Sequence, residues 1–209
     1  MDITPLYPVI LSVSHPASDR LSGSDRLSGR KKNALLQRTA RQALSFSAQR
    51  SGVALGTLSK DGRGAPLPID GVYWSLSHKT YCVAAVVSGE RIGIDVEELR
   101  PRSSRDLFAY LAAPDEWRLC SDPGWDLFYR YWTAKEAATK ATGVGIRDLR
   151  VCKVIAIPDE RHLVLDYEHR LWNIEHYWYK NHIISLVADN KPIEWVVGDE
   201  RWIVGDEGR

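Results

Sequence analysis

Cys82-Val83-Ala84-Ala85-Val86-Val87-Ser88-Gly89-Glu90-Arg91-Ile92-Gly93-Ile94-Asp95-Val96 has an echo one hundred residues later, without a gap. The echo is His182-Ile183-Ile184-Ser185-Leu186-Val187-Ala188-Asp189-Asn190-Lys191-Pro192-Ile193-Glu194-Trp195-Val196. Each stretch reads as an apolar strand, a polar turn and a second strand, which predicts a hairpin. Each is also preceded by a segment of helical period. The first runs from Lys31 to about Gln49, with Leu35, Leu36, Ala40 and Leu44 as its apolar stripe, and the second from about Asp126 to Thr142. Two copies of this unit predict an α+β fold: two similar helix-plus-antiparallel-sheet halves packed as an intramolecular pseudo-dimer, with a site between them. The halves divide near residue 100, into 1–100 and 101–209. Two ordinary hairpins without common origin are the alternative, since identity across the echo is low. The halves are not chemically equal, because Asp95 falls opposite Trp195. A second half would cover the surface for which a single-half protein needs a partner, so a monomer is expected.

Working outward, a chain of 209 residues with 44% hydrophobic content and eight Trp can bury a real core. Lys plus Arg number 28 against 27 for Asp plus Glu, a net charge of +1, which argues against an extended nucleic-acid surface. Cys82, Cys120 and Cys152 are odd in number and lack metal-ligand spacing, so they read as reduced thiols. The start Met1-Asp2-Ile3-Thr4-Pro5 lacks the basic and apolar regions of a secretory leader, and the longest apolar run, Cys82 to Val87, is too short to span a bilayer. A cytoplasmic protein with no membrane partner is expected. Ser-Asp-Arg-Leu-Ser-Gly is written twice across residues 18–29 and reads as a basic loop. It would serve either as a flap carrying Arg20, Arg26 and Arg30 toward an anion or as a lengthened loop with no further role.

The chemistry gathers in two acidic elements. In Ile92-Gly93-Ile94-Asp95-Val96-Glu97, strand alternation puts the apolar residues on one face and Asp95 with Glu97 on the other. In Tyr131-Trp132-Thr133-Ala134-Lys135-Glu136-Ala137-Ala138-Thr139-Lys140, helical spacing aligns Trp132, Glu136 and Lys140. Brought together, these elements offer three carboxylates beside an ammonium, a donor set for a hard divalent cation that shares oxygen ligands with phosphates. Singly, each has a plainer reading. Asp95 and Glu97 suit the solvated face of an edge strand, Glu136 and Lys140 an i,i+4 ion pair, and His78 a structural histidine. Trp132 on that stripe reads as core.

Three blocks in order resemble the 4′-phosphopantetheinyl transferases of the larger, two-halved type: Trp74-Ser75-Leu76-Ser77-His78, then Ile92 to Glu97, then Trp132 to Lys140. The resemblance covers roughly residues 30–155. It implies an enzyme that moves the phosphopantetheine arm of coenzyme A to a serine of an acyl or peptidyl carrier protein. Magnesium is the implied cofactor, with manganese able to occupy the same oxygen site. On this resemblance Asp95, Glu97 and Glu136 are the metal ligands, and Glu136 and Lys140 the catalytic pair. His78 is the contact to the 3′-phosphate of coenzyme A, with Ser77, Arg63, Lys32 and Lys135 as further cofactor-binding residues. The family's Gly-Lys-Pro here reads Gly62-Arg63-Gly64-Ala65-Pro66. Either Asp115 or Glu116 matches a family acidic residue before the long helix. Two rivals stand beside this reading: a magnesium-dependent hydrolase of nucleotide pyrophosphates, and a non-catalytic module that binds coenzyme A or a carrier.

Overall fold

The computed structural model describes residues 4–13, 29–144 and 149–199. The duplicated loop up to Ser28, with Arg20 and Arg26, and the C-terminal residues from Glu200 onward lie outside them. In chain order the elements are β1 (Val9–Ser12), α1 (Gly29–Arg50), β2 (Tyr73–Lys79), β3 (Cys82–Ser88), β4 (Ile94–Glu98), α2 (Asp106–Leu111), α3 (Pro114–Trp117), α4 (Trp125–Thr142), β5 (Lys153–Ala156), β6 (His162–Tyr167), β7 (Arg170–Tyr179), β8 (His182–Val187) and β9 (Val196–Asp199).

They form two sheets, one ordered β2-β3-β1-β9 and the other β4-β8-β7-β6-β5. The pairs are antiparallel except β1 with β9. The fold is therefore α+β, as the helix and strand periods predict.

The hairpin reading of the echo needs correction. Strands β3 and β4 do not pair with each other, and neither do β8 and β9. The true hairpins are β2–β3 and β7–β8, closed by two-residue turns at Thr80-Tyr81 and Lys180-Asn181. The first residue of each turn, Thr80 and Lys180, has positive φ. The physical reason is that both edges of β3 are already taken, by β2 and β1. The chain after Ser88 must leave that sheet, and it joins the free edge of β8. Residues after β8 meet the same obstacle and cross to β1. A cut at residue 100 thus leaves each half with one strand in the other half's sheet.

Alternation along β1 and β3 serves two cores. Val9, Leu11, Val83, Ala85 and Val87 pack with Leu36, Ala40, Ala43 and Leu44 of α1. Ile10, Cys82, Ala84 and Val86 join the larger cluster built on β4, β6, β8 and α4. Strands β1 and β3 are buried on both faces, so they read as near-continuous apolar runs. All three thiols are free; burial pushes those of Cys82 and Cys152 up to about 12, which leaves them inert. Among the described residues no helix is long and apolar enough to cross a membrane.

Candidate active site

The site is set by how closely one turn approaches one helix. Gly93 opens β4, and a Cβ built there would lie 1.8 Å from the carbonyl oxygen of Ala137 and 2.9 Å from the backbone nitrogen of Ala141. Only glycine permits that contact, and the small side chains of Ala137, Ala138 and Ala141 keep the facing side of α4 low. Each of those alanines is next in sequence to Glu136 or Lys140, or one position further along. Seating Gly93 there brings Asp95 against Lys140.

Asp95 is 2% exposed. Its Oδ1 accepts hydrogen bonds from Lys140 Nζ (2.6 Å) and Ser77 Oγ (2.8 Å), while Oδ2 is buried with no hydrogen-bond partner. Lys140 Nζ also donates to the Ile94 carbonyl at 3.2 Å. On Glu97, Lys79 Nζ donates to Oε1 at 2.9 Å and stands 2.7 Å from Oε2, the second contact lacking hydrogen-bond direction. Burial pushes the Glu97 carboxyl above its ordinary range, and the Lys79 hydrogen bond opposes that. Glu136 is buried beside both and hydrogen-bonds to no described side chain. Burial first, and then the charge of Asp95, push its carboxyl up to about 8, against the pull of Lys140.

Helix α4 sorts its residues by angle. Trp132 packs beside Phe128, and Glu136 and Lys140 face the carboxylates of β4. Lys135 is one residue and about 100° from Glu136, and there the sequence expectation fails. Lys135 is 0% exposed, with Nζ donating to Glu116 Oε2 (2.7 Å) and to the Leu111 carbonyl (2.9 Å). It is sealed in the core and not brought to the cleft. Burial holds its ammonium pKa below the usual range, while Glu116 opposes the shift. Glu116 also accepts from the backbone nitrogens of Ala113 and Val154, both at 2.8 Å, so it ties α3 to α4 and β5. Asp115 beside it is exposed.

A cavity of about 190 Å³ adjoins the carboxylates, lined by Lys60, Arg63, Trp74, Leu76, Thr139 and Lys140 among others. Arg63 is set on its rim by Asp61, whose Oδ1 accepts from the backbone nitrogens of Arg63 (2.9 Å) and Ala65 (2.8 Å). His78 ends up half-buried nearby; desolvation first, then the charges of Lys140 and Lys60, hold its pKa low, so it is neutral at pH 7. Lys32 lies on α1 with Nζ 4.0 Å over the Tyr81 ring and does not line this cavity. Trp132 is half-buried, stacked 6.0 Å from Phe128.

Sequence reasoning missed Lys79 and Lys60. For Lys79 a signal was present: Ser75, Ser77 and Lys79 alternate along β2, and all three reach across to β4. Ser75 Oγ accepts from the Ile94 nitrogen at 3.1 Å, Ser77 meets Asp95 and Lys79 meets Glu97. The site is a seam between two sheets, laced by side chains, with α4 closing one side.

Residues 91–187 match the family model of the 4′-phosphopantetheinyl transferase superfamily. The match spans β4 and α4 entire. Similar curated proteins include a 4′-phosphopantetheinyl transferase, HetI, of Nostoc sp., 36% identical over 111 residues, which are 48% of this chain and 47% of that protein. Another is the 4′-phosphopantetheinyl transferase psf-1 of Bacillus pumilus, 32% identical over 91 residues, 41% of this chain and 39% of the relative. The chain thus spans less than half the length of the curated relatives it matches.

Proposed function

We propose that this chain, whose residues 91–187 match the 4′-phosphopantetheinyl transferase superfamily, transfers the 4′-phosphopantetheine group of coenzyme A to a serine of an acyl or peptidyl carrier protein. The observation that carries the reading is the convergence of Asp95, Glu97 and Glu136 with Lys140 where β4 meets α4, inside the matched segment.

In the proposed reaction the carrier serine oxygen attacks the phosphorus bearing the pantetheine arm. A new phosphorus–oxygen bond forms, the pyrophosphate bond breaks, and 3′,5′-adenosine bisphosphate leaves. The serine proton passes to the Glu136 carboxylate; such a base contributes about 10²–10⁴-fold. Lys140, fixed between Asp95 and the Ile94 carbonyl, sets a compact positive charge where charge develops on the transferring phosphate. The adjoining cavity, with Lys60, Arg63 and Lys140 around an apolar wall of Trp74 and Leu76, suits the anionic, aromatic nucleotide end. His78, which does not line this cavity, would meet the 3′-phosphate from beside it.

The donor set fits a hard divalent cation. Asp95 Oδ2 and Glu97 Oε2 are buried without hydrogen-bond partners, and Glu136 is buried with its carboxyl uncommitted. As arranged, each of the first two carboxylates is held by its own ammonium, and no three such ligands among the described residues enclose one point. Asp95, Glu97 and Glu136 would hold magnesium, or manganese, and the ion would neutralise the pyrophosphate.

The two hairpins one hundred residues apart, each with its helix, support a pseudo-dimer acting as a cytoplasmic monomer. Arg100, Arg102 and Arg105 would meet an acidic carrier face, making turnover at subsaturating carrier fall with added salt.

The test is intact mass spectrometry of apo-carrier proteins incubated with this protein, coenzyme A and magnesium. A gain of one phosphopantetheine, abolished by chelator, is expected. Coenzyme A consumed without mass gain would replace the transferase by the pyrophosphate hydrolase; no gain with coenzyme A intact would leave a binding module. Asp95→Ala and Glu136→Ala should each lower transfer by about 10² or more.

A further inference from the structure

Two lysines stand among the three carboxylates, and the reaction proposed above uses one of them. Lys140 belongs to the helix stripe and is engaged by Asp95 and a backbone carbonyl. Lys79 comes from the other sheet, as the last residue of β2. Its Nζ lies within 2.9 Å of both oxygens of Glu97, which is how a cation would sit on that carboxylate. Its charge also acts on Glu136, where it lowers the carboxyl pKa. The Glu97 side chain is 13% exposed, but that of Lys79 is 32% exposed, so the ammonium can leave for water without unfolding β2.

The charges favour such a departure. Three carboxylates balance one divalent cation plus Lys140. With Lys79 also in place, the cluster carries one positive charge in excess, and like charges this close oppose one another. Lys79 and a divalent cation therefore exclude each other at Glu97.

We propose that Lys79 is an internal competitor for the cation: it neutralises Glu97 in the empty protein and sets the cation concentration at which the site loads. This rests on reading Asp95, Glu97 and Glu136 as the cation-holding set, and makes Lys79 a positioning residue that acts through Glu97.

The test is direct Mn²⁺ binding to the full chain without coenzyme A, followed by electron paramagnetic resonance of the free ion. It compares wild type with Lys79→Met, Lys79→Gln, Lys79→Arg and Asp95→Asn, all checked for folding by circular dichroism. Lys79→Met and Lys79→Gln should each bind Mn²⁺ about tenfold or more tightly than wild type. Lys79→Arg should keep wild-type affinity or weaken it. The rise in Tm on adding Mn²⁺ should be larger in Lys79→Met, because the empty variant leaves Glu97 unneutralised. Equal or weaker binding by both neutral variants, with binding lost in Asp95→Asn, would overturn the competitor and leave the cation site standing. Binding unaffected by Asp95→Asn, or absent from every folded variant, would overturn the cation reading and this inference with it.

Discussion

Gly93 and Glu136 show how much a single residue decides here. A methyl at Gly93 meets the Ala137 carbonyl oxygen at 1.8 Å, and the obstacle is helix backbone, which cannot rotate away. Gly93→Ala should cost at least about 3 kcal/mol in chemical denaturation, while Gly89→Ala, where nothing lies within 4 Å, should stay within about 0.5 kcal/mol. Glu136 bears on pH. Its folded carboxyl is raised from the ordinary 4.5 to about 8, so between those values the folded protein holds a proton that the unfolded chain has released. That contribution to stability is fully present below about 4.5 and is lost as the pH rises through about 8. Without divalent cation, Tm should fall between pH 5 and 8. Glu136→Gln should flatten this trend and be the more stable protein at pH 8, by on the order of 1 kcal/mol or about 2–4 °C.

At the scale of elements, helices and strands were legible in the sequence, and their partners were not. The stripe Leu36, Ala40, Leu44 placed α1, and the alternation around Asp95 placed β4. Periodicity, however, reports which face of an element is buried, not which strand takes its edge. The hairpin expected between Cys82 and Val96 failed for that reason. The site divides the same way. The spacing of Glu136 and Lys140 put them on one stripe, and their meeting with Asp95 follows once Gly93 docks. Lys135 looked equivalent to its neighbour in sequence, yet its rotation around the helix carries it to Glu116. Alternation puts Lys79 on the same face as Ser75 and Ser77, but only the packing of two sheets puts Glu97 opposite it. The Lys135–Glu116 pair should behave as a buried tie between α3, α4 and β5. Glu116→Ala strands an ammonium and two backbone N–H groups, and should cost about 3–5 kcal/mol by thermal unfolding. Lys135→Met leaves the carboxylate its two backbone donors and should cost less.

For the whole molecule, β4 and β9 each complete the other half's sheet, and the larger hydrophobic cluster draws on both sheets. The smaller cluster lies within residues 9–87, but β1 and β3 turn their other face into the larger one, so the halves share a core. Calorimetry should therefore record one unfolding transition with matching calorimetric and van't Hoff enthalpies; two separable transitions would show the halves to be independent.

The exchange of strands also fixes an order of events in time. Strand β1 is made long before its parallel neighbour β9. A chain emerging from the ribosome can form α1 and the β2–β3 hairpin early, but β1 keeps an open edge until Val196–Asp199 have been made. Asp95 and Glu97 likewise wait on β8. Pairings that bridge such long stretches of chain are slow to close, and an unpaired edge invites association with other chains. The nascent chain thus carries that open edge until β9 follows, and the cleft cannot assemble before β8 has been made.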